Sequence, residues 1–360
     1  MTKIFFEKFD SKTSLEEQRS LFIECFPENI GTPVETLDHY KWKFCSFPTE
    51  VKSYEYVASL NNNIIGYYAA VPHYYLINGK PAKAGMVCDV MIGSAARGKG
   101  VFTKLGKYSI NQLHHERFDF LTGNPIRPEV IPGHKKVGWE SPFELPMYGK
   151  FISFNSFLNS KKLSKLIFFA NMILQIWEKV LSLFRFRDNN IQVETYNQYE
   201  IKSIIGLQEF FENLNKEISI YLCKNIPFIN WRLGAPEKKY SLIIIRKNKK
   251  IVAYSIASFM VKKNVPCLGI LDLAILEGFE KYSTLILKEN EILAKKNNAE
   301  LILTMIGKKW AEKFEFFMNG FFKTPYKFTF IINKLNESLK SEQLFSEDNW
   351  HLMWIDSDNL

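Results

Sequence analysis

MIGSAARGKGVFTKL, Met91–Leu105, is the stretch on which the reading of this chain turns. It holds Gly93, then four residues, then Gly98-Lys99, which is the opening of a nucleotide-triphosphate loop. The next residue is Gly100, where such a loop needs Ser or Thr to hold Mg²⁺. A dinucleotide fingerprint fails too, because it needs a third glycine and Gly100 is followed by Val101, Phe102 and Thr103. What is left is a glycine-rich turn between AGMVCDVMI, which reads as a strand, and VFTKLGKYSINQLHH, which reads as a helix. Phe102, Leu105 and Leu113 fall near one apolar face of that helix. A turn ending at a helix N-terminus presents free backbone N–H groups and a partial positive charge. Gly98 and Gly100 permit left-handed dihedrals and close backbone approach. Arg97, Lys99 and Lys104 add formal charge, and no residue of the loop is acidic. These are the properties of a diphosphate site.

The sequence around this loop occurs twice. HYKWKFCSFP around Trp42 matches FINWRLGAP around Trp231, and SYEYVASLNNNIIGYYAA matches KYSLIIIRKNKKIVAYSIAS. Each of the longer pair reads as strand, polar turn, strand. MVCDVMIG matches GILDLAIL and sets Asp89 against Asp272; a helix follows each, then FDFLTGN against AELILTM. KKVGWESPFELPMYGKF matches FMNGFFKTPYKFTFIIN, and Asp89 to Gly138 is 49 positions where Asp272 to Gly320 is 48. Patterns kept in order at one offset predict two copies of an α+β module. Each copy has a mixed, mostly antiparallel sheet flanked by helices. The second loop, ILEGFEKYSTLILKENE, has one glycine, Gly278, between Glu277 and Glu280. Carboxylates there repel a diphosphate, so the second copy is expected to bind none.

The chain has 360 residues, 46% apolar and 15% aromatic, enough for two sizeable cores. A net charge of +9 favours anionic ligands such as phosphates or a membrane surface. No long Lys/Arg tract and no zinc-spacing Cys/His cluster occurs, so neither nucleic acid nor a bound metal is expected. Five scattered cysteines, Cys25, Cys45, Cys88, Cys223 and Cys267, argue against a disulfide framework and fit a cytoplasmic location. The N-terminus does not read as a secretory signal. Between the copies, KKLSKLIFFANMILQIWEKVLSLFRFR is apolar for nearly a membrane span. Asn171, Gln175, Glu178 and Ser182 put a polar stripe along one helix face. The reading is a linker helix; the alternative lays residues 163–185 on a membrane surface.

Arg97-Gly98-Lys99-Gly100-Val101-Phe102 resembles the pyrophosphate loop of the Gcn5-related N-acetyltransferases, Gln/Arg-x-x-Gly-x-Gly/Ala, with Phe102 in place of the last small residue. Gly138-Trp139 resembles the Gly-aromatic that precedes the family's last hairpin. The tandem arrangement resembles Eis-like members associated with surface polysaccharides and, more distantly, FemX-type aminoacyl transferases. The resemblance implies residues 1–155 as a coenzyme-binding domain, 156–190 as linker helix and 191–360 as a degenerate copy. It further implies acetyl-coenzyme A as donor, held by the backbone of Val90, Met91 and Ile92 along its pantetheine and by the amides of Arg97, Gly98, Lys99, Gly100, Val101 and Phe102 at its diphosphate. Asn124 is placed to touch the pantetheine or the acceptor. The acceptor implied is an amine, an amino sugar or a nucleotide- or lipid-linked sugar.

Transfer from a thioester to an amine needs a neutral amine and then a proton for the departing thiolate. Many relatives use a Tyr shortly before the Gly-aromatic for the second task; that place holds His134, in a segment that departs from the family by carrying Pro132-Gly133. Asp89 is the second candidate, as a proton relay, though its repetition as Asp272 equally fits a structural role. His73 is weaker, and Cys88 has no adjacent base. Two other readings stand beside acetyl transfer: aminoacyl transfer of the FemX kind, and a non-catalytic sensor or scaffold that binds coenzyme A. The closing SEDNWHLMWIDSDNL lacks helix periodicity; it reads as a surface strand, with a fold back over a cleft as the alternative.

Overall fold

The computed structural model describes residues 3–155, 172–173 and 190–357. The chain forms two compact units. The first is Met1–Glu144 with Gly234–Glu237 and Thr329–Glu347; the second is Leu145–Leu233 with Lys238–Phe328 and Asp348–Leu360. This is not the contiguous division into 1–155 and 191–360 expected from the repeat. The linker helix expected over 156–190, and its alternative contact with a membrane through 163–185, lie outside the described residues except for Met172, Ile173 and Asn190. Among the described residues no helix is long and apolar enough to cross a membrane.

In the first unit, β1 Phe5–Lys8, β2 Tyr54–Leu60, β3 Asn63–Ile77 and β4 Lys80–Ile92 are antiparallel neighbours in that order. β5 Phe120–Gly123 joins β4 in parallel. The hairpins close on Asn61-Asn62 and Asn78-Gly79, all at positive φ, as tight turns between twisted strands require. Helix α1, Ser11–Cys25, is capped by Asp10, whose side chain accepts from the Lys12 amide. A one-turn helix α2, Leu37–Tyr40, follows, and α3, Val101–His115, packs on β2, β3 and β4. Val101, Leu105 and Leu113 are buried with Tyr54, Tyr56, Leu121, Val137 and Trp139 in one core. The helix face read from the sequence is therefore the face that packs, with Val101 taking the place expected of Phe102.

In the second unit the order runs β7 Ile191–Asn197, β9 Tyr240–Lys247, β10 Lys250–Lys262 and β11 Val265–Ile275, all antiparallel, with β12 Leu301–Met305 parallel to β11. A short β8, Ile220–Leu222, follows helix α5, Leu207–Glu217. Helix α6 is Ile226–Arg232 and α7 is Ser283–Lys296. Two-residue turns with positive φ recur at Asn248-Lys249 and Lys263-Asn264. All five cysteines are free thiols.

The last strand of each half departs from expectation. β6, Glu140–Phe151, begins in the first unit, but its Met147–Phe151 pairs with β12 in the second. β13, Phe322–Lys334, begins in the second unit, and its Ile331–Lys334 pairs with β5 in the first. A contiguous division at residue 155 would have each copy finish its own sheet. β5, of 4 residues, takes only Ile331–Lys334 of the 13-residue β13. Side chains fix the exchange. Ile331 packs on Gly123, where an added Cβ would meet it at 3.2 Å, and the Asn333 amide donates to the Val137 carbonyl at 3.2 Å.

Candidate active site

β4 and β5 pair only at Ala84–Phe120, Gly85–Leu121 and Met86–Thr122. From Val87 onward no strand or bridge occupies the β5-facing edge of β4 among the described residues. The strands therefore splay, and β4 presents backbone groups to whatever enters. A bulge marks the divergence: Tyr67 faces Met91 and Ala69 faces Cys88, so Asp89 and Val90 share the place opposite Tyr68. Asp89 takes φ +49°, a left-handed backbone uncommon for a residue with a side chain. Its carboxylate is held by the Lys43 ammonium at 2.8 Å, with 13% of the Asp89 side chain still exposed.

A polar cluster adjoins this pair. The Glu55 carboxylate accepts from the Tyr40 hydroxyl at 2.8 Å, the Ser53 hydroxyl at 2.6 Å and the Tyr67 hydroxyl. Burial pushes the Glu55 carboxyl above the usual carboxylate range, and these three donors pull against it. Burial beside Glu55 raises the Tyr67 phenol as well. The Arg19 guanidinium, within the field of Asp89, donates to the carbonyls of Val34 and Glu35 at 3.2 and 2.9 Å.

The loop follows β4. Gly98 and Gly100 stand at φ +75° and +71°. A Cβ added at either would meet nothing within 4 Å, so the backbone angle demands glycine and the space above stays clear. Gly100 is the residue before α3 and offers no side-chain cap, so the first-turn amides of α3 find no acceptor within the helix. The Arg97 and Lys99 amides are taken by the Ser94 and Ala96 carbonyls, both at 3.3 Å. Those of Gly98, Gly100, Val101, Phe102 and Thr103 are left among the described residues. Lys99 and Lys104 are exposed, and the Arg97 side chain donates to the Ile92 carbonyl at 3.2 Å. Glu24, at the end of α1, accepts the Ser94 amide at 2.6 Å, which holds its carboxyl below the usual range. The cradle fits a diphosphate in geometry and charge. Asn124 stands half-buried just past β5.

His134 lies in α4, Ile131–Lys135, and is buried. Its ring meets the Phe102 ring edge-on at 5.1 Å and the Trp139 ring at 5.3 Å. Burial lowers its pKa to about 4, so the imidazole is neutral near pH 7 and only a weak proton acceptor there. That placement packs the ring against Phe102 and Trp139. It also accounts for both departures from the family pattern. Phe102 lies over Gly133, where a Cβ would approach it to 2.7 Å, so a bulky loop residue and an unusual glycine compensate each other. His73 is buried and stacks on Phe47 at 5.6 Å, and Cys88 is buried next to Asp89.

The second unit keeps the frame and changes the contents. Asp272 pairs with Lys224 at 2.9 Å, both fully buried, where Asp89 reaches solvent. Glu217 accepts the Glu277 amide at 2.9 Å, as Glu24 accepts that of Ser94. Its loop has a single positive-φ glycine, Gly278, and Glu280 is engaged by Lys313 at 3.5 Å. Sequence reading missed Lys43, Glu24 and Glu55. Lys43 and Glu24 lie 46 and 70 positions from the residues they hold, Asp89 and Ser94, Glu55 lies 15 and 12 from Tyr40 and Tyr67, and no local pattern announces them.

Residues 11–151 match the family model described as an acetyltransferase (GNAT) domain. The matched domain is that of an acyltransferase. It takes in β4, the loop and α3 to α4. Solved structures share the fold over 93% of the chain. One is a conserved Enterococcus faecalis protein described as a "Probable N-Acyltransferase", with TM-score 0.66, 12% identity and 73% of that chain covered. Another is a GCN5-related N-acetyltransferase from Anabaena variabilis, with TM-score 0.66, 10% identity and 73% of its length covered. A third, from Kribbella flavida, has TM-score 0.62 and 9% identity over 72% of its length. No curated protein matches the chain.

Proposed function

We propose that the first unit transfers an acetyl group from acetyl-coenzyme A to an amine. The observation that carries this is the pair of left-handed glycines, Gly98 and Gly100, with open space above them at the start of a 15-residue helix beside a splayed parallel strand pair. The amides of Gly98, Gly100, Val101, Phe102 and Thr103 hold the diphosphate, with Arg97, Lys99 and Lys104 supplying charge around it. The free edge of β4 at Val90, Met91 and Ile92 pairs with the pantetheine, and Asn124 faces the acceptor side. Asp89, at the bulge and partly open to water, takes the amine's proton; Lys43, at 2.8 Å, fixes its direction. His134 supports the loop through Phe102.

The second unit is, on this reading, a degenerate copy. Its strand order, its turns and the likeness of known structures over 93% of the chain support that. The acceptor we favour is an amino sugar, nucleotide- or lipid-linked, in line with the net charge of +9. Aminoacyl transfer is the weaker reading, since it gives the loop's free amides nothing to do. The test is calorimetric titration with coenzyme A, followed by thiol release from acetyl-coenzyme A across a panel of amines. Uptake abolished by Gly100→Glu, together with amine-dependent release, supports the enzyme. Uptake without release for any amine leaves the coenzyme sensor, and no uptake ends both.

A further inference from the structure

The second unit splays its strands as the first does. β11 and β12 pair from Cys267–Leu301 to Ile270–Thr304 and then part, while β11 runs on to Ile275 along β10. The gap is closed by the chain's own end. The His351 ring binds the Leu273 carbonyl through Nε2 at 3.0 Å. A carbonyl only accepts, so Nε2 carries the hydrogen and donates. Burial keeps the ring neutral, well below the usual histidine range. On the other side of the gap, Met353 bridges to Ile306, just past β12. The Trp310 indole donates to the Trp350 carbonyl at 2.8 Å. Arg232, itself buried, donates to the carbonyls of Ile355, at 3.0 Å, and Ser357. Asp356 meets Lys224 at 3.2 Å, on the ammonium that also holds Asp272. Trp350 through Ser357 are all buried, so the expected surface strand is instead part of the interior.

Leu273 follows Asp272 as Val90 follows Asp89. We propose that the C-terminal segment is a permanent internal ligand of the second unit, seated in the cleft between β11 and β12 that corresponds to the pantetheine cleft of the first. This rests on the coenzyme reading of the first unit given above. The loss of the second site is then secured twice, by a loop with one glycine, Gly278, between the carboxylates of Glu277 and Glu280, and by a cleft already filled. One chain takes up one coenzyme.

Hydrogen exchange of the full chain, read by mass spectrometry with and without saturating coenzyme A, tests this. Amides of Trp350–Asp356 should exchange as slowly as those of β11, within about tenfold, and should not change when coenzyme A is added. His351→Ala should speed them by about tenfold and leave β4 and α3 unchanged. Rapid exchange of the segment in the unliganded chain would overturn the proposal, as would its release by coenzyme A. Protection of Arg97–Thr103 by coenzyme A reports separately on the first unit. Its absence beside a slow C-terminal segment would sink the coenzyme reading and leave the internal ligand standing.

Discussion

Gly98 separates folding from binding at a single position. Its Cβ-free backbone is needed for a dihedral of +75°, and beyond its own two chain neighbours no protein atom lies within 4 Å of where a Cβ would stand. Gly98→Ala should therefore cost only the left-handed strain, about 1–2 kcal/mol, seen as a modest fall in melting temperature. Coenzyme A affinity should fall at least tenfold, because the methyl enters the space a phosphate would use. Equal affinity for the two proteins by calorimetry would remove the diphosphate from this loop. His134 makes a second prediction from its burial. Its folded pKa of about 4 lies below the unfolded value, so the unfolded chain binds the proton first as pH falls. The stability is intact above about pH 6.5 and declines toward pH 4, by about 3 kcal/mol when fully developed. His351, also lowered, acts in the same direction. Melting curves between pH 7 and 5 should thus fall for the parent chain and flatten in part for His134→Phe. An unchanged slope would mean the imidazole is already open to water in the native state.

Among the elements, the contact between α3 and α4 carries the local departures from the family pattern. Gly133→Ala forces a methyl against the Phe102 ring, which also meets the His134 ring edge-on at 5.1 Å. The expected loss is about 1–3 kcal/mol, as for overpacking elsewhere. Adding Phe102→Ala should recover part of it, a coupling that a double-mutant cycle in urea measures directly. Additive losses would show that the two residues do not share this space. The same contact shows what sequence can and cannot carry. The strand, loop and helix around Gly98 were legible because each leaves a local trace: apolar alternation, glycines, an amphipathic period. The hairpins were legible from their polar turns. Phe102 and Gly133 each looked like an exception, since their compensation is a contact in space across 31 positions. Lys43 with Asp89 and Glu24 with Ser94 stayed hidden for the same reason.

For the whole molecule, the final strands matter most, and there a faithful repeat in the sequence misled. KKVGWESPFELPMYGKF and FMNGFFKTPYKFTFIIN match well enough to suggest that each copy closes its own sheet. Periodicity fixes which residues of a strand face inward, but not which β5-type strand it will join. In the fold, β5 takes Ile331–Lys334 as its neighbour, and Ile331 belongs to the core containing Leu121 and Trp139. A fragment ending at residue 155 thus lacks the strand that covers β5 and the side chain that fills that core. It also leaves the Val137 carbonyl without Asn333 and Asp119 without the Asn336 amide, bonded at 2.6 Å. Residues 1–155 expressed alone should be unfolded or aggregated, with fast amide exchange through β4 and β5. Co-expression with residues 190–360 should restore slow exchange there, and Ile331→Asp in that second fragment should abolish the rescue. If 1–155 alone gave a cooperative melt and bound coenzyme A as the full chain does, the exchanged strand would be dispensable. The contiguous division at residue 155 would then describe the folding units better than the one seen here.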